Sequence, residues 1–124
     1  MAQSYSSLTQ TPQPDDQRIV VTGMGVVTPL GLGKETFWAG LVAGRSATGP
    51  ATQCNLSDLP CRVVAEVPDF AAHDFMDHRE ARKLSRASQF AVAAARMAVA
   101  DAHLTIDDSN REAIGALVAN SSTS

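Results

Sequence analysis

The longest periodic stretch of the sequence is DHREARKLSRASQFAVAAARMAVADAHL, residues 77–104. Asp77, followed three residues later by Glu80, resembles a capping box and predicts the start of a short helix. Ser85 can then cap a second helix, in which apolar residues, most of them alanine, recur with helical spacing until Asp101 interrupts them. Because small side chains let neighbouring backbones come close, the pattern predicts a helix packed between layers.

Short apolar runs on both sides of this stretch predict β-strands at 19–21, 62–67 and 114–118. A further helix is predicted over 34–43, with Gly44 placed to end it in a left-handed conformation. We expect His103 to end the long helix in the same way, since histidine tolerates positive φ better than most residues. Strands separated by long helices predict an α/β fold with a largely parallel sheet. So few elements leave sheet edges and faces uncovered, and we expect the chain to be part of a larger fold.

The composition excludes several classes of protein. With 44% apolar and 19% charged residues, the chain is ordinary for a globular protein. Its net charge of −3 argues against a nucleic-acid binder. Residues 1–17 are rich in Ser, Thr, Gln and Pro and predict a disordered tail. No stretch approaches the roughly 20 apolar residues of a membrane span, and no basic residue precedes Arg18 to begin a signal peptide, so we expect a cytoplasmic protein.

The cysteines and histidines form no recognisable site. Cys54 and Cys61, with three scattered histidines, make no metal-binding pattern, so we expect no metal. Both thiols are predicted to be structural because free cysteine is usually buried. A nucleophilic role for Cys61 is disfavoured, since no helix N-terminus or cationic partner is visible beside it. The histidines are expected at exposed loop or helix-end positions.

The segment GMGVVT, residues 23–28, resembles a dinucleotide-binding turn at first sight. Thr28 replaces the third glycine, and Pro29 follows where a phosphate-binding helix should begin. Binding of NAD or FAD is therefore disfavoured. The alternative is a tight turn after a strand, in which glycine supplies dihedral freedom.

Four basic residues, Arg79, Arg82, Lys83 and Arg86, have spacings that place them on one face of a helix. A break in the helix at Ser85 would move Arg86 off that face. A solvated surface is one interpretation of such a cluster. The other is a docking site for an anionic partner, because the cluster holds four of the ten basic residues of an acidic chain.

Three segments together resemble the opening of the β-ketoacyl-acyl carrier protein synthases. These are RIVVTGMGVVTPLGLGKETFWAGLVAGRSA from Arg18, the stretch 77–104, and IGALV from Ile114. The resemblance is strongest to the elongating type II synthases of fatty acid synthesis, the KAS II group, and extends to polyketide ketosynthases. It implies that 18–124 is the truncated N-terminal segment of a thiolase-like domain with five α/β/α/β/α layers, normally dimeric.

The same resemblance implies a function and a set of site residues. The family joins an acyl chain to malonyl units on acyl carrier protein, using a cysteine and two histidines that lie beyond Ser124 in the family order. No residue of this chain inherits a catalytic role, and the chain alone is expected to be inactive. Arg79, Arg82 and Lys83 match positions that present cations to the acidic carrier protein, and Ser122 matches a pocket-lining position. No cofactor is expected beyond the phosphopantetheine arm of the carrier protein.

The chain departs from the family pattern in the residues ANSSTS at 119–124, where a glycine-rich turn is usual, and this puts the pocket shape in doubt. Two alternatives remain. One is a non-catalytic, chain-length-factor-type or polyketide ketosynthase subunit that docks an acyl carrier protein. The other is a complete small domain, which the open sheet edges disfavour.

Overall fold

The structure is a computed structural model that describes residues 14–119. It contains three α-helices and two short antiparallel ladders, joined by loops and single 3₁₀ turns. In chain order the elements are a 3₁₀ turn at Asp15–Gln17, β1 (Val27–Thr28), β2 (Gly31–Leu32), α1 (Lys34–Val42), β3 (Gly49–Pro50), β4 (Val63–Val64), a 3₁₀ turn at Ala72–Asp74, α2 (His78–Ala81), α3 (Arg86–Asp101) and a 3₁₀ turn at Arg111–Ala113. Strand β1 pairs with β2, with Val27 opposite Leu32, and β3 pairs with β4, with Gly49 opposite Val64.

The predicted helix boundaries are confirmed by their caps. The Asp77 carboxylate accepts a hydrogen bond of 2.8 Å from the backbone N–H of Arg79, which starts α2. The Ser85 hydroxyl accepts from the backbone N–H of Ser88 at 3.3 Å and starts α3. Gly44 and His103 follow α1 and α3 with φ values of 63° and 51°, the left-handed conformation expected at both positions.

Helix α3 packs directly on the glycine segment that precedes β1. A β-carbon placed on Gly23 would lie 2.6 Å from the backbone N of Ala102, and one on Gly25 would lie 2.8 Å from the backbone N of Ala98. The predicted close approach of a small-residue helix is therefore confirmed. The expected reason for glycine was wrong, since neither residue has positive φ and both are required by contact with the helix backbone.

A small aromatic core lies where the chain enters α2 and α3. Phe70 is only 8% exposed, and its ring meets that of Phe90 edge to face at 4.8 Å and stacks on Phe75 at 5.7 Å. Met76, Ala81 and Ala93 complete the buried apolar set of the described residues. This core fixes the segment from 70 to 93 as one packed unit.

The predicted strands at 19–21 and 114–118 are not paired in the structure. Within residues 14–119 neither run has a neighbouring strand, and their side chains are exposed, with Leu117 at 97%. A β-branched run forms a ladder only when another strand supplies hydrogen-bonding partners. The strand predicted over 62–67 is reduced to β4, and Asp15–Gln17, inside the predicted tail, forms a 3₁₀ turn. Residues 1–13 of that tail lie outside the described residues.

The prediction of buried thiols was wrong, because Cys54 and Cys61 are both exposed in the long loop between β3 and β4. A buried position needs a core to enclose it, and this loop lies outside the aromatic core. Within residues 14–119, every helix is too short or too polar to span a bilayer.

Asp101 joins three parts of the fold. Its carboxylate accepts from the backbone N–H of Met24 at 2.9 Å and from the ammonium group of Lys34 at the start of α1. These bonds, with that of Lys34 the larger cause, hold the pKa of Asp101 below its ordinary value of 3.8. The same pair raises the pKa of Lys34 above its ordinary value of 10.5. A single side chain at the end of α3 thus ties α1 and the glycine segment to the helix.

We predict that Asp101→Asn lowers the free energy of unfolding at pH 7, and that the difference from wild type shrinks as the pH falls below about 4. A carboxyl whose pKa is lowered on folding stabilises the fold above its unfolded pKa and loses that contribution as the pH falls through the folded pKa. Urea unfolding of the intact protein from pH 7 to pH 3 measures the difference.

The matched control is Asp108→Asn, which removes the partner of Arg111 in an exposed pair at 3.0 Å and should change little. A constant difference between wild type and Asp101→Asn over the whole pH range would show that the charge of Asp101 does not stabilise the fold.

Candidate docking surface

The three predicted docking cations lie on α2 and the turn that follows it. Arg79 is inside the helix, Arg82 is its C-terminal cap with φ −67° and ψ −18°, and Lys83 comes next in the turn. We call these three residues the basic turn. The backbone N–H of Lys83 donates to the carbonyl of Glu80 at 3.0 Å, so the helical curvature continues past the end of α2.

All three side chains of the basic turn are exposed. Among residues 14–119, no side chain of the basic turn forms a hydrogen bond or an ion pair. By contrast, most other cations of the chain are engaged: Arg18, Lys34 and Arg111 in ion pairs, and Arg45, Arg62 and Arg86 on backbone carbonyls. The basic turn is therefore a local concentration of unneutralised positive charge on an acidic chain.

Arg86 does not belong to this surface. The helix breaks at Ser85, and the Arg86 guanidinium turns back over the aromatic core, with its carbon 4.7 Å from the ring centre of Phe70 and 4.9 Å from that of Phe90. It also donates to the carbonyl of Phe70 at 3.3 Å. Its charge is committed to a cation–π contact, which is a structural role.

A shallow hollow adjoins the basic turn. Its lining is mostly apolar and is formed by Met76, Leu84 and Val92 together with Glu80 and Lys83. Lys83 thus belongs both to the basic turn and to the hollow. The surface combines exposed cations with a small apolar depression, which suits a partner with both carboxylates and apolar side chains.

The other predicted positions do not form a second site. Cys61 lies with its sulfur 3.7 Å from the carbonyl of Val63, and among the described residues no basic side chain bonds to it. The three histidines are exposed and lie in separate turns and helix ends, as expected: His73, His78 and His103. Within residues 14–119, no three metal-ligating side chains come together. Ser122, the predicted pocket-lining residue, lies outside the described residues.

Sequence reasoning missed two residues that hold the surface and the fold in place. Gln89 on α3 donates to the carbonyls of Ala81 and Leu84, and Asp101 makes the contacts described above. Both are polar residues in an alanine-rich helix that packs on other elements. Their polar character in such a helix was the feature of the sequence that could have marked them. Their partners could not be deduced from spacing.

Comparison with known proteins identifies relatives along nearly the whole chain. A sequence profile described as "Beta-ketoacyl synthase, N-terminal domain" matches residues 16–124. The curated 3-oxoacyl-[acyl-carrier-protein] synthase 2 of Synechocystis sp. is 42% identical over 104 residues, covering 84% of this chain and 25% of that protein. The protein of the same name from Coxiella burnetii is 36% identical over 104 residues, with the same coverage. The chain thus spans about a quarter of the length of these relatives.

Solved structures agree with the sequence relatives. The ishigamide ketosynthase/chain length factor superposes with a TM-score of 0.64 at 45% identity, over 69% of this chain and 21% of that one. A β-ketoacyl synthase from Burkholderia phymatum superposes with a TM-score of 0.61 at 33% identity, over 75% of this chain and 23% of that one. The expected fold class is confirmed by these superpositions. The chain belongs to the β-ketoacyl synthase family: it matches the N-terminal domain of that family and shares its thiolase-like α/β fold.

Proposed function

We propose that the intact protein is a 3-oxoacyl-[acyl-carrier-protein] synthase that condenses acyl chains with malonyl-acyl carrier protein in fatty acid biosynthesis. In this proposal the chain described here contributes the first part of the scaffold and a docking surface for the carrier protein. The observation that carries the proposal is the basic turn, whose three cations are exposed and without partners among residues 14–119. The names of the curated relatives support the same reaction.

Electrostatic attraction explains how the basic turn would act. An acidic carrier protein approaching an overall acidic chain is repelled except where positive charge is concentrated, so the basic turn would select the orientation of approach. Exposed charges act over about 10 Å at ordinary ionic strength, and the binding should weaken as salt is added. The apolar hollow beside Lys83 would receive a side chain of the partner once the charges have met.

The roles of the reacting residues, the acyl pocket and the thioester arm follow from the family resemblance and are part of the proposal. The reacting cysteine and two histidines would come from beyond residue 124, and Ser122 would line the acyl pocket. The thioester arm would be carried by the partner, so the protein would need no cofactor of its own. We further propose a cytoplasmic homodimer, as in the family that the sequence resembles.

The test is a triple charge reversal, Arg79→Glu, Arg82→Glu and Lys83→Glu, in the intact protein. We expect affinity for acyl carrier protein to fall about tenfold to a hundredfold at low salt, from three lost attractions that become repulsions. The melting temperature should barely change, because these side chains have no folded-state partners among residues 14–119. Surface plasmon resonance over a salt series measures the affinity.

The matched control reverses Arg18, Arg96 and Arg111, which gives the same change in net charge at exposed positions elsewhere. If both triple variants weaken binding equally, the effect is one of net charge and the basic turn is not a docking surface. If neither does, docking at this face is excluded.

A second candidate function is a polyketide ketosynthase or non-catalytic chain-length-factor subunit. The 45% identity to the ishigamide ketosynthase/chain length factor favours it. The chain-length-factor alternative differs in covalent chemistry: a condensing enzyme of fatty acid or polyketide synthesis accepts the acyl group on its cysteine, with release of the carrier thiol. Incubation with radiolabelled acyl-carrier protein should label an active synthase through a thioester, and a chain-length-factor subunit should remain unlabelled.

A further inference from the structure

We infer that Gln89 is a positioning residue that holds the basic turn in its binding geometry; the inference rests on the docking function proposed above. Its side-chain amide nitrogen donates to the carbonyl of Ala81 at 2.8 Å and to that of Leu84 at 3.3 Å. These two carbonyls bracket Arg82 and Lys83. One side chain on α3 therefore spans the backbone that carries two of the three docking cations.

The basic turn needs such support because α2 has only four residues. A helix this short has no stability of its own in water, and its last carbonyls are bonded from outside it: that of Ala81 accepts from the backbone N–H of Leu84 at 3.2 Å. Gln89 supplies partners from α3, which is sixteen residues long and packed on the glycine segment. The half-buried Gln89 thus ties the short helix α2 and the turn after it to the long helix α3 by hydrogen bonds.

The residues around Gln89 are themselves held in place by packing. Arg86, one turn before Gln89 on α3, is fixed over Phe70 and Phe90, and Ala81 is buried beneath the turn. The inner side of the basic turn is therefore held by packing and hydrogen bonds, while Arg79, Arg82 and Lys83 are exposed on its outer side. Such an arrangement keeps the charges of the basic turn on one outward face before any partner arrives.

Preorganisation of this kind increases affinity without adding a contact. A flexible turn must be ordered when it binds, and the entropy lost at that moment is subtracted from the binding free energy. Loss of the Gln89 bonds should therefore weaken docking although the charge of the surface is unchanged. A role confined to general stability would not couple to the docking cations in this way.

The test compares Gln89→Met with Gln53→Met in the intact protein, using purified acyl carrier protein as the probe. Methionine keeps the length and helix propensity of glutamine but has no donor. Gln53 donates to the carbonyl of Val67 at 3.2 Å in the β3–β4 region, so its replacement removes an equivalent bond away from the basic turn. We expect Gln89→Met to lower affinity about threefold to tenfold and Gln53→Met to leave it unchanged.

Two further readouts separate positioning from stability. The double variant Gln89→Met with Lys83→Ala should lose less affinity than the product of the two single effects predicts. We expect the shortfall to be about threefold, because both changes act on one surface. Amide hydrogen exchange in the free protein should become faster at residues 82–84 in Gln89→Met and stay unchanged in Gln53→Met. If Gln89→Met proves insoluble, Gln89→Asn, which is too short to reach both carbonyls, should give smaller effects of the same sign.

The possible failures are distinguishable. Unchanged affinity in a folded Gln89 variant, or purely multiplicative effects with Lys83→Ala, would overturn the positioning role while the response to charge reversal keeps the docking function intact. A wild-type protein that binds carrier protein no better than its charge-reversed variant would overturn the docking function and this inference with it.

Discussion

Replacing Gly25 by alanine is expected to lower the free energy of unfolding by about 3 kcal/mol, the upper range for overpacking a filled interior. The added β-carbon would lie 2.7 Å from the carbonyl carbon of Ala94 and 2.8 Å from the backbone N of Ala98. Both are backbone atoms of α3, which cannot turn aside as a flexible side chain would. The helix would have to move away from the glycine segment, and its bond between Asp101 and the Met24 N–H would stretch with it. Urea unfolding of the intact protein measures the loss.

Gly49→Ala is the matched control, because a β-carbon at Gly49 meets no atom within 4 Å and the residue has no positive φ. It should change stability by no more than about 0.5 kcal/mol, as surface substitutions usually do. A stable Gly25→Ala variant would mean that α3 does not lie against this segment.

Replacing Phe70 by alanine is expected to cost about 3 to 5 kcal/mol, the usual loss for a large aromatic core residue. Phe70 touches Phe75 and Phe90 and lies under the Arg86 guanidinium, so its removal opens a cavity and leaves a cation without its aromatic surface. Thermal and urea unfolding measure the loss. Binding of carrier protein should weaken as well, since Phe70 holds Arg86, one turn before Gln89 on α3.

Arg86→Met separates the two contributions to that loss. Methionine keeps an apolar stem over the rings but lacks the charge, so the variant alone should cost about 1 kcal/mol. In a double-mutant cycle with Phe70→Leu, the coupling should be favourable and similar in size. Absence of coupling would show that Arg86 does not contribute through the face of Phe70, and its role as anchor of the first turn of α3 would fail.

These predictions share a dependence on α3. One end of the helix carries Ser85, Arg86 and Gln89, which organise the basic turn and the aromatic core. Its other end carries Asp101, which ties down the glycine segment and α1. The proposed docking surface is therefore connected to the scaffold through α3, and a change at either end of this helix is expected to affect the other.

Two apolar runs of the chain lie exposed. Residues 19–21 and 114–118 carry large apolar side chains that the rest of the described chain leaves uncovered. The chain spans about a quarter of its curated relatives, and its superposition on solved β-ketoacyl synthases covers a similar share of those chains.

The helices and their ends were predictable from the sequence. Caps at Asp77 and Ser85 and the left-handed residues Gly44 and His103 depend on contacts within about four positions of the chain, so their residue types could be interpreted directly. The basic cluster was visible for the same reason. The family, too, could be recognised from the order and spacing of local motifs, and the comparisons confirm it.

Contacts between distant residues could be seen only in the folded chain. The bond from Met24 to Asp101 spans 77 positions, and no local rule could predict it or the close contact of Gly23 and Gly25 with α3. The structure also shows that Arg86 lies apart from the basic turn, that both cysteines are exposed and that Gln89 bonds to the carbonyls of Ala81 and Leu84. The physical reason is that burial and long-range pairing depend on which surfaces come together, whereas helix ends depend on the chain beside them.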